Sequence, residues 1–351
     1  MKYFAERLKA ARKMNGFSLQ DLSDAMDNRL NKQALQRLEA GESEPDSETI
    51  SLLSKALKVP SDYFFRESTV TLGDLRFRKL KKLAVKEKEK IEANTVDFLE
   101  RYLELEDMLG IDNQISFSPR GYKIKHFGDV EQAAIDLRKS WNLGEDPLQN
   151  VTEMLEENNI KVYLLDADKH FSGMSAFINE EIGVIVLNQS ERIPVVHRRF
   201  SALHELAHLY LNLSSFDDKE IEKICDLFAA AMLLPASKIR NALGEKRSHI
   251  MMSEFRLLAG QYGISQSAIA HRAFRLEIIS ASYLKFFMLN YNRYKTKEKE
   301  YTVYAGSELP IRFSQLLMRA VAEEIISISK AAVLNNQKLG DFRKIFDNAV
   351  K

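Results

Sequence analysis

Ser201-Ala-Leu-His-Glu-Leu-Ala-His-Leu-Tyr210 carries two histidines four residues apart, with a glutamate directly after the first. On a helix, His204 and His208 share one face, with Cβ atoms about 5–6 Å apart. That spacing lets both imidazoles reach one zinc ion at about 2.0–2.1 Å. Glu205 is rotated off the line of the histidines but stays beside the metal, where a carboxylate can take a proton from water. H-E-x-x-H thus supplies two ligands and a general base from a single turn. The competing reading is an exposed helix carrying two unrelated histidines. The flanks argue against it. Phe200, Ala202, Leu203, Leu206, Ala207, Leu209 and Leu211 make the helix mostly apolar, and buried histidines without partners are costly.

A tetrahedral catalytic zinc needs a third protein ligand, and the segment after this helix offers one. Glu222-Lys-Ile-Cys-Asp226 presents two carboxylates four residues apart on one helical face. Glu222 can complete a His₂Glu set and leave the fourth position for water. Asp226 can accept the remaining N–H of a ligand histidine and fix its tautomer. Glu220 competes for the third position because it lies in the same segment. Cys225 is a soft donor within reach, but its apolar neighbours favour a small core residue.

Working outward, the 351 residues are enough for two or three domains, and 45% hydrophobic with 29% charged residues belongs to a globular protein. A net charge of +1 announces no global field for nucleic acid or membrane, so any such binding must come from local patches. A single cysteine excludes an internal disulfide framework. The start, MKYFAERLKAARK, is charged throughout and has no signal-peptide core. No run of 18 apolar residues exists to span a membrane. The expected location is the cytoplasm, with no membrane partner.

Residues 1–67 are expected to form a bundle of short helices. Phe4, Leu8 and Ala11 recur at helical spacing, Ser18 is placed as the cap of LQDLSDAM, and NKQALQRLEA ends at Gly41. SEPDSETISLLSKAL continues into a fourth helix, and VPSDYFF returns aromatics to the core. A helical linker is expected over 68–125. Its first part is basic through Arg76, Arg78, Lys79, Lys81, Lys82, Lys86, Lys88 and Lys90; a solvated connecting helix and a nucleic-acid contact both fit it. From 126 to 280 the pattern is mixed α/β: helices over Val130–Trp141 and Pro147–Asn158, a strand in IKVYLLDA, and two strands in MSAFINEEIGVIVLN with a turn at Glu181–Gly183. Residues 281–351 are expected to be helical again. The fold class is multi-domain and mainly α, with one small α/β domain.

FSALHELAHLYL followed by EKICDLFAAAMLLP resembles the zinc metallopeptidase domain of the ImmA/IrrE family. The resemblance covers roughly 126–280 and implies Zn²⁺ held by His204, His208 and Glu222, with Glu205 catalytic. FSGMSAFI and GVIVLN resemble the family's strands before the helix, which offer an edge for a peptide to add to. One departure is Ala207, where many members have glycine. His197, Tyr210, His249, His271 and Arg272 are all candidates to hold an oxyanion, and spacing does not choose among them. LLAGQYGISQSAIAHRAFRLEII also looks like a helix-turn-helix, but it falls inside the family's peptidase region and is expected to pack.

RLKAARKMNGFSLQDLSDAM, NKQALQRLEAGESEP and LLSKALKVPSDYFF resemble the XRE (phage-repressor-like) helix-turn-helix class. The resemblance implies that SLQDLSDAM braces and that NKQALQRLEAG enters the major groove. Asn31, Lys32, Gln33 and Gln36 then suit base edges, and Gln20 and Arg37 suit phosphates. Two features depart from a simple reader: the turn DNRLN is longer than the class's shortest form, and residues 1–66 hold eleven Lys/Arg against ten Asp/Glu. A protein-interaction bundle of the same fold is the competing reading. Together the resemblances imply a transcription regulator that binds a DNA operator as a homodimer. It would also cut a specific protein, such as a repressor. The alternative is a non-catalytic regulator that senses metal or peptide, or an antitoxin with a toxin partner.

Overall fold

The helical spacing of Phe4, Leu8 and Ala11 becomes α1 (Phe4–Met14) in the computed structural model of the protein. The structure describes residues 3–73, 83–112, 114–178, 181–295 and 304–349. Ser18 caps α2 (Leu19–Ala25) in a reciprocal box with Asp21. Asn31 caps α3 (Lys32–Glu39), and Asp46 caps α4 (Ser47–Leu57). A 3-10 turn over Ser61–Phe65 returns Tyr63 and Phe64 to a core with Phe4, Leu8, Leu22, Leu35 and Leu53. The long connection between α2 and α3 has a physical basis. Asp27 and Asn28 both take left-handed backbone, and the Ser23 hydroxyl donates to the Leu30 carbonyl at 2.7 Å.

The described residues form two compact units: 3–73, 83–112 and 311–349 in one, and 114–178, 181–295 and 304–310 in the other. In the first unit, α5 (Val85–Met108) lies along α1. The Arg7–Glu100 ion pair at 2.6 Å and the Asn94 amide on the Met14 carbonyl at 2.9 Å fasten it there. Tyr102 and Leu105 on α5 share a second core with three C-terminal helices, Arg312–Ala322, Ile328–Leu334 and Leu339–Ala349. Residues 68–73 and 83–112 of the expected linker thus share a unit with 311–349, while 114–125 belong to the other. Arg76, Arg78, Lys79, Lys81 and Lys82 lie outside the described residues.

In the second unit, β1 (Tyr122–Lys123), α6 (Asp129–Ser140) and α7 (Val151–Glu157) precede the main sheet. Strands β2 (Lys161–Leu165), β3 (Gly173–Ile178) and β4 (Ile182–Asn188) stand in the order β2-β4-β3, with β2 parallel and β3 antiparallel to β4. The expected turn at Glu181–Gly183 is corrected. Ile182 and Gly183 already pair with Ile178 and Phe177 inside the sheet. Gly183 marks close packing instead, because a Cβ there would lie 3.3 Å from the Leu209 side chain.

The sheet packs on α8 (Val195–Tyr210), which passes into β5 (Leu211–Asn212), the parallel partner of β1. Helices α9 (Asp218–Leu233), α10 (Ala236–Leu243), α11 (Met252–Tyr262), α12 (Gln266–Arg275) and α13 (Ala281–Lys295) complete the unit. Ile269, Ala270 and Ala273 of α12 join its core, as expected for packing. Phe287 and Tyr291 of α13 join it too, so the unit continues past residue 280. Arg199 is fully buried, donating to the Gly263 and Leu148 carbonyls and pairing with buried Glu308, which also accepts from the amides that open α7. Among the described residues, no helix is long and apolar enough to cross a membrane.

Candidate metal centre

Helix α8 is buried at every position from Ser201 to Tyr210, so its histidines enter the core and not solvent. The two rings lie 5.1 Å apart at 60°. Antiparallel α9 brings the acidic partners. His204 Nε2 is 3.5 Å from one Glu222 oxygen, and His208 Nε2 is 3.6 Å from the other. Tetrahedral donors about 2.0–2.1 Å from zinc stand roughly 3.3–3.4 Å from one another, so the two imidazoles and Glu222 have the spacing such an ion asks for. The opposite ring nitrogen of His204 meets Asp226 Oδ1 at 2.7 Å. A carboxylate there holds the ring so that Nε2 faces Glu222.

The two rival donors are placed differently. Glu220 is spent at the helix start, where its carboxylate accepts from the Asp217 amide at 3.0 Å while Asp217 accepts from Glu220. Buried Cys225 forms a group with His204 and His208, all donor atoms within 4.8 Å, that could hold a metal ion. Its sulfur, however, faces His208 Nδ1 at 3.6 Å, the ring nitrogen opposite the one Glu222 faces. His204 therefore has Asp226 at Nδ1 and His208 has Cys225, while both Nε2 atoms turn to one carboxylate. The donor chemistry favours Glu222 as the third ligand.

Glu205 contacts the sheet. The Ser175 hydroxyl on β3 donates to Glu205 Oε2 at 2.9 Å. One turn of pleat away, a Cβ on Gly173 would lie 3.3 Å from Glu205 Cγ, so only glycine lets the strand approach this closely. Asn188, at the end of β4, donates to the Ala167, Asp168 and Phe171 carbonyls and shapes the loop that leads into β3. Sequence reasoning missed all three. The signal available was a serine and a glycine interrupting the apolar FSGMSAFI, but no local pattern ties them to a helix thirty residues on.

Of the five oxyanion candidates, three are engaged elsewhere. Tyr210 packs among Phe117, Tyr122 and Phe228, and burial pushes its hydroxyl up to about 12. His249 stacks edge-on against Tyr283. Arg272 donates to the Leu234 carbonyl at 2.5 Å and pairs with Glu131. His197 and His271 line a cleft of about 740 Å³ that also reaches Asp226.

In the first unit, Lys32, Gln33, Gln36 and Arg37 lie exposed on α3 while Leu35 and Leu38 face the core. Asn31 uses its side-chain oxygen to cap the helix, accepting from the Ala34 amide at 2.8 Å. Gln20 is exposed on α2 and donates to Asp24 at 2.8 Å. Glu39 grips Arg12 through both oxygens, at 2.6 and 2.9 Å, and so braces α3 on α1.

Residues 8–64 match the family model described as helix-turn-helix. Residues 155–274 match the peptidase family model described as the IrrE N-terminal-like domain. The second match contains β2 to β4, α8 and α9, hence every residue of the centre, and α12 up to Phe274. Compared with the curated proteins and with the solved structures, the chain matches none.

Proposed function

We propose that this chain, which joins an XRE-type helix-turn-helix segment to an IrrE/ImmA-like segment, is a transcription regulator that binds an operator as a homodimer and hydrolyses a specific regulatory protein. His204, His208 and Glu222 would hold zinc. When bound, zinc polarises a carbonyl as a Lewis acid and lowers the pKa of a water at its open position. The chain's own groups do the rest. Asp226 fixes the His204 ring, and Ser175 holds the Glu205 carboxylate, which accepts the proton of the attacking water. Glu205 then returns that proton to the leaving amine as the peptide C–N bond breaks. Among the described residues, strand β3 has β4 on one side only, so its other edge can pair with an extended substrate.

The observation that carries this reading is the set of partners around one helical turn. His204 and His208 face Glu222, while Glu205, the residue after His204, is held by a strand serine. A pocket that only bound metal would have no need of an oriented carboxylate there. The test is target trapping: tagged Glu205→Gln should retain an intact cellular protein that the tagged wild type releases in cut form. If both proteins retain the same intact target, the second unit is a binding module, and the protein is a sensor or an antitoxin.

A further inference from the structure

The cleft of about 740 Å³ beside the metal centre is not used by the chemistry described above. It continues the groove between α8 and α9. On α8 it is lined by Phe200, one turn before His204, and by His197, nearly two turns before it; on α9 by Lys223, next to Glu222, and by Asp226 and Leu227 one turn further on. The α12–α13 wall adds His271, Arg275, Met288 and Tyr291. Asp226 belongs to both places, since its carboxylate holds His204 while its side chain remains 59% exposed. The floor is apolar and aromatic, and the mouth carries the exposed cations Lys223 and Arg275. Arg272 also lines the cleft but is neutralised by Glu131 at 2.7 Å.

The sheet sets which part of a bound chain would reach this cleft. Ser175 lies over Glu205, and Ser172, just before β3, lies 3.5 Å from His197. A peptide pairing antiparallel to β3 runs from the Ile178 end toward the Gly173 end. Its residues after the cut therefore move past Ser172 toward the cleft. Along α8, Phe200 lies about one turn and His197 about two turns from His204, roughly 5–11 Å. Extended chain advances about 3.4 Å per residue, so the cleft receives a side chain about one to three positions after the cut.

We infer that the cleft lined by Phe200, Lys223, Arg275 and Tyr291 is a specificity pocket that selects an acidic residue beside an apolar one on the C-terminal side of the substrate's scissile bond. This rests on the peptidase reading for its orientation, but the binding itself does not require cleavage. The apolar floor takes an aliphatic or aromatic side chain. Lys223 and Arg275 take the carboxylate at the mouth; the Asp226 carboxylate is engaged by the His204 ring, so the two cations outweigh it and disfavour a lysine in the same place.

The test uses full-length, zinc-loaded Glu205→Gln protein on beads and a random end-blocked octapeptide library, with the retained peptides sequenced. The expected pool is enriched at least several-fold in Asp or Glu next to Phe, Leu or Met and depleted in Lys and Arg. In Glu205→Gln protein that also carries Lys223→Glu and Arg275→Glu, both on exposed positions, the preference should reverse to basic residues while zinc content is unchanged. No acidic enrichment, or an enrichment the charge reversal leaves intact, overturns the pocket. Exposure of the retained pool to wild-type protein tests the peptidase reading separately. Peptides that are selected but never cut would sink the enzyme and leave the pocket standing.

Discussion

The Asp226 carboxylate lies 2.7 Å from Nδ1 of His204, and the same ring turns its Nε2 to Glu222 at 3.5 Å. One side chain thus sets the tautomer and orientation of another. A metal-ligating histidine whose outer N–H partner is removed typically loses 10–100-fold in metal affinity. Asp226→Ala should weaken zinc binding by about that factor. Glu222→Ala should weaken it further, because a ligand and not its support is lost. Competition with a zinc-sensitive dye, with the fold followed by circular dichroism, reads both. Equal affinity in wild type and Asp226→Ala would remove Asp226 from the centre.

Ser175 supports Glu205 in the same manner from the sheet. A hydrogen bond to a charged group is worth about 1.5–3 kcal/mol, so Ser175→Ala should lower kcat for a cut peptide by roughly ten- to a hundredfold. Zinc content should stay at wild-type level, since Ser175 touches the base and no ligand. Unchanged turnover would mean that the contact is packing alone.

Much of the centre was legible in the sequence because its parts lie at helical spacing. His204, Glu205 and His208 share one turn of α8, and Glu222 and Asp226 share one face of α9. Glu220, left by the sequence as a competing ligand, is instead the capping-box partner of Asp217, three residues before it. Ser175, Gly173 and Asn188 were not legible. Their roles depend on the register of β3 on β4 and on how closely the sheet approaches α8, and neither leaves a periodic signal. The same holds for Glu308, whose partner Arg199 is more than a hundred residues away. The two-unit division escaped notice because α5 reads from its sequence as a connector, while Tyr102 and Leu105 actually bury against the C-terminal helices.

Arg199 and Glu308 are both fully buried and paired. Removing one member of a buried pair strands the other charge and costs about 3–5 kcal/mol. Glu308→Ala should therefore lower the urea midpoint of the second unit sharply, and Val151 and Thr152 lose their acceptor at the start of α7 as well. A shift within measurement error would show that the pair contributes little.

On the DNA side, Gln33 and Gln36 are exposed on α3, while Asn31 is occupied as its cap. Gln33→Ala and Gln36→Ala should each reduce discrimination between operator and unrelated DNA by about 1–3 kcal/mol. Asn31→Ala should instead destabilise the first unit by about 1 kcal/mol through the lost cap. Fluorescence anisotropy across a salt series, with thermal melts of the same proteins, separates the two effects. Absence of salt-dependent binding to its own promoter would turn the first unit into an interaction bundle.

If Glu205 moves the proton in peptide hydrolysis, its replacement abolishes cleavage and spares the metal. Newly exposed protein N-termini in cells carrying wild type or Glu205→Gln, alongside zinc content of the two purified proteins, read this out. Zinc should be equal, about one per chain for one three-ligand site, and N-termini from a specific regulatory protein should appear only with wild type. Identical N-termini in both cells, with target genes regulated alike, would contradict that role.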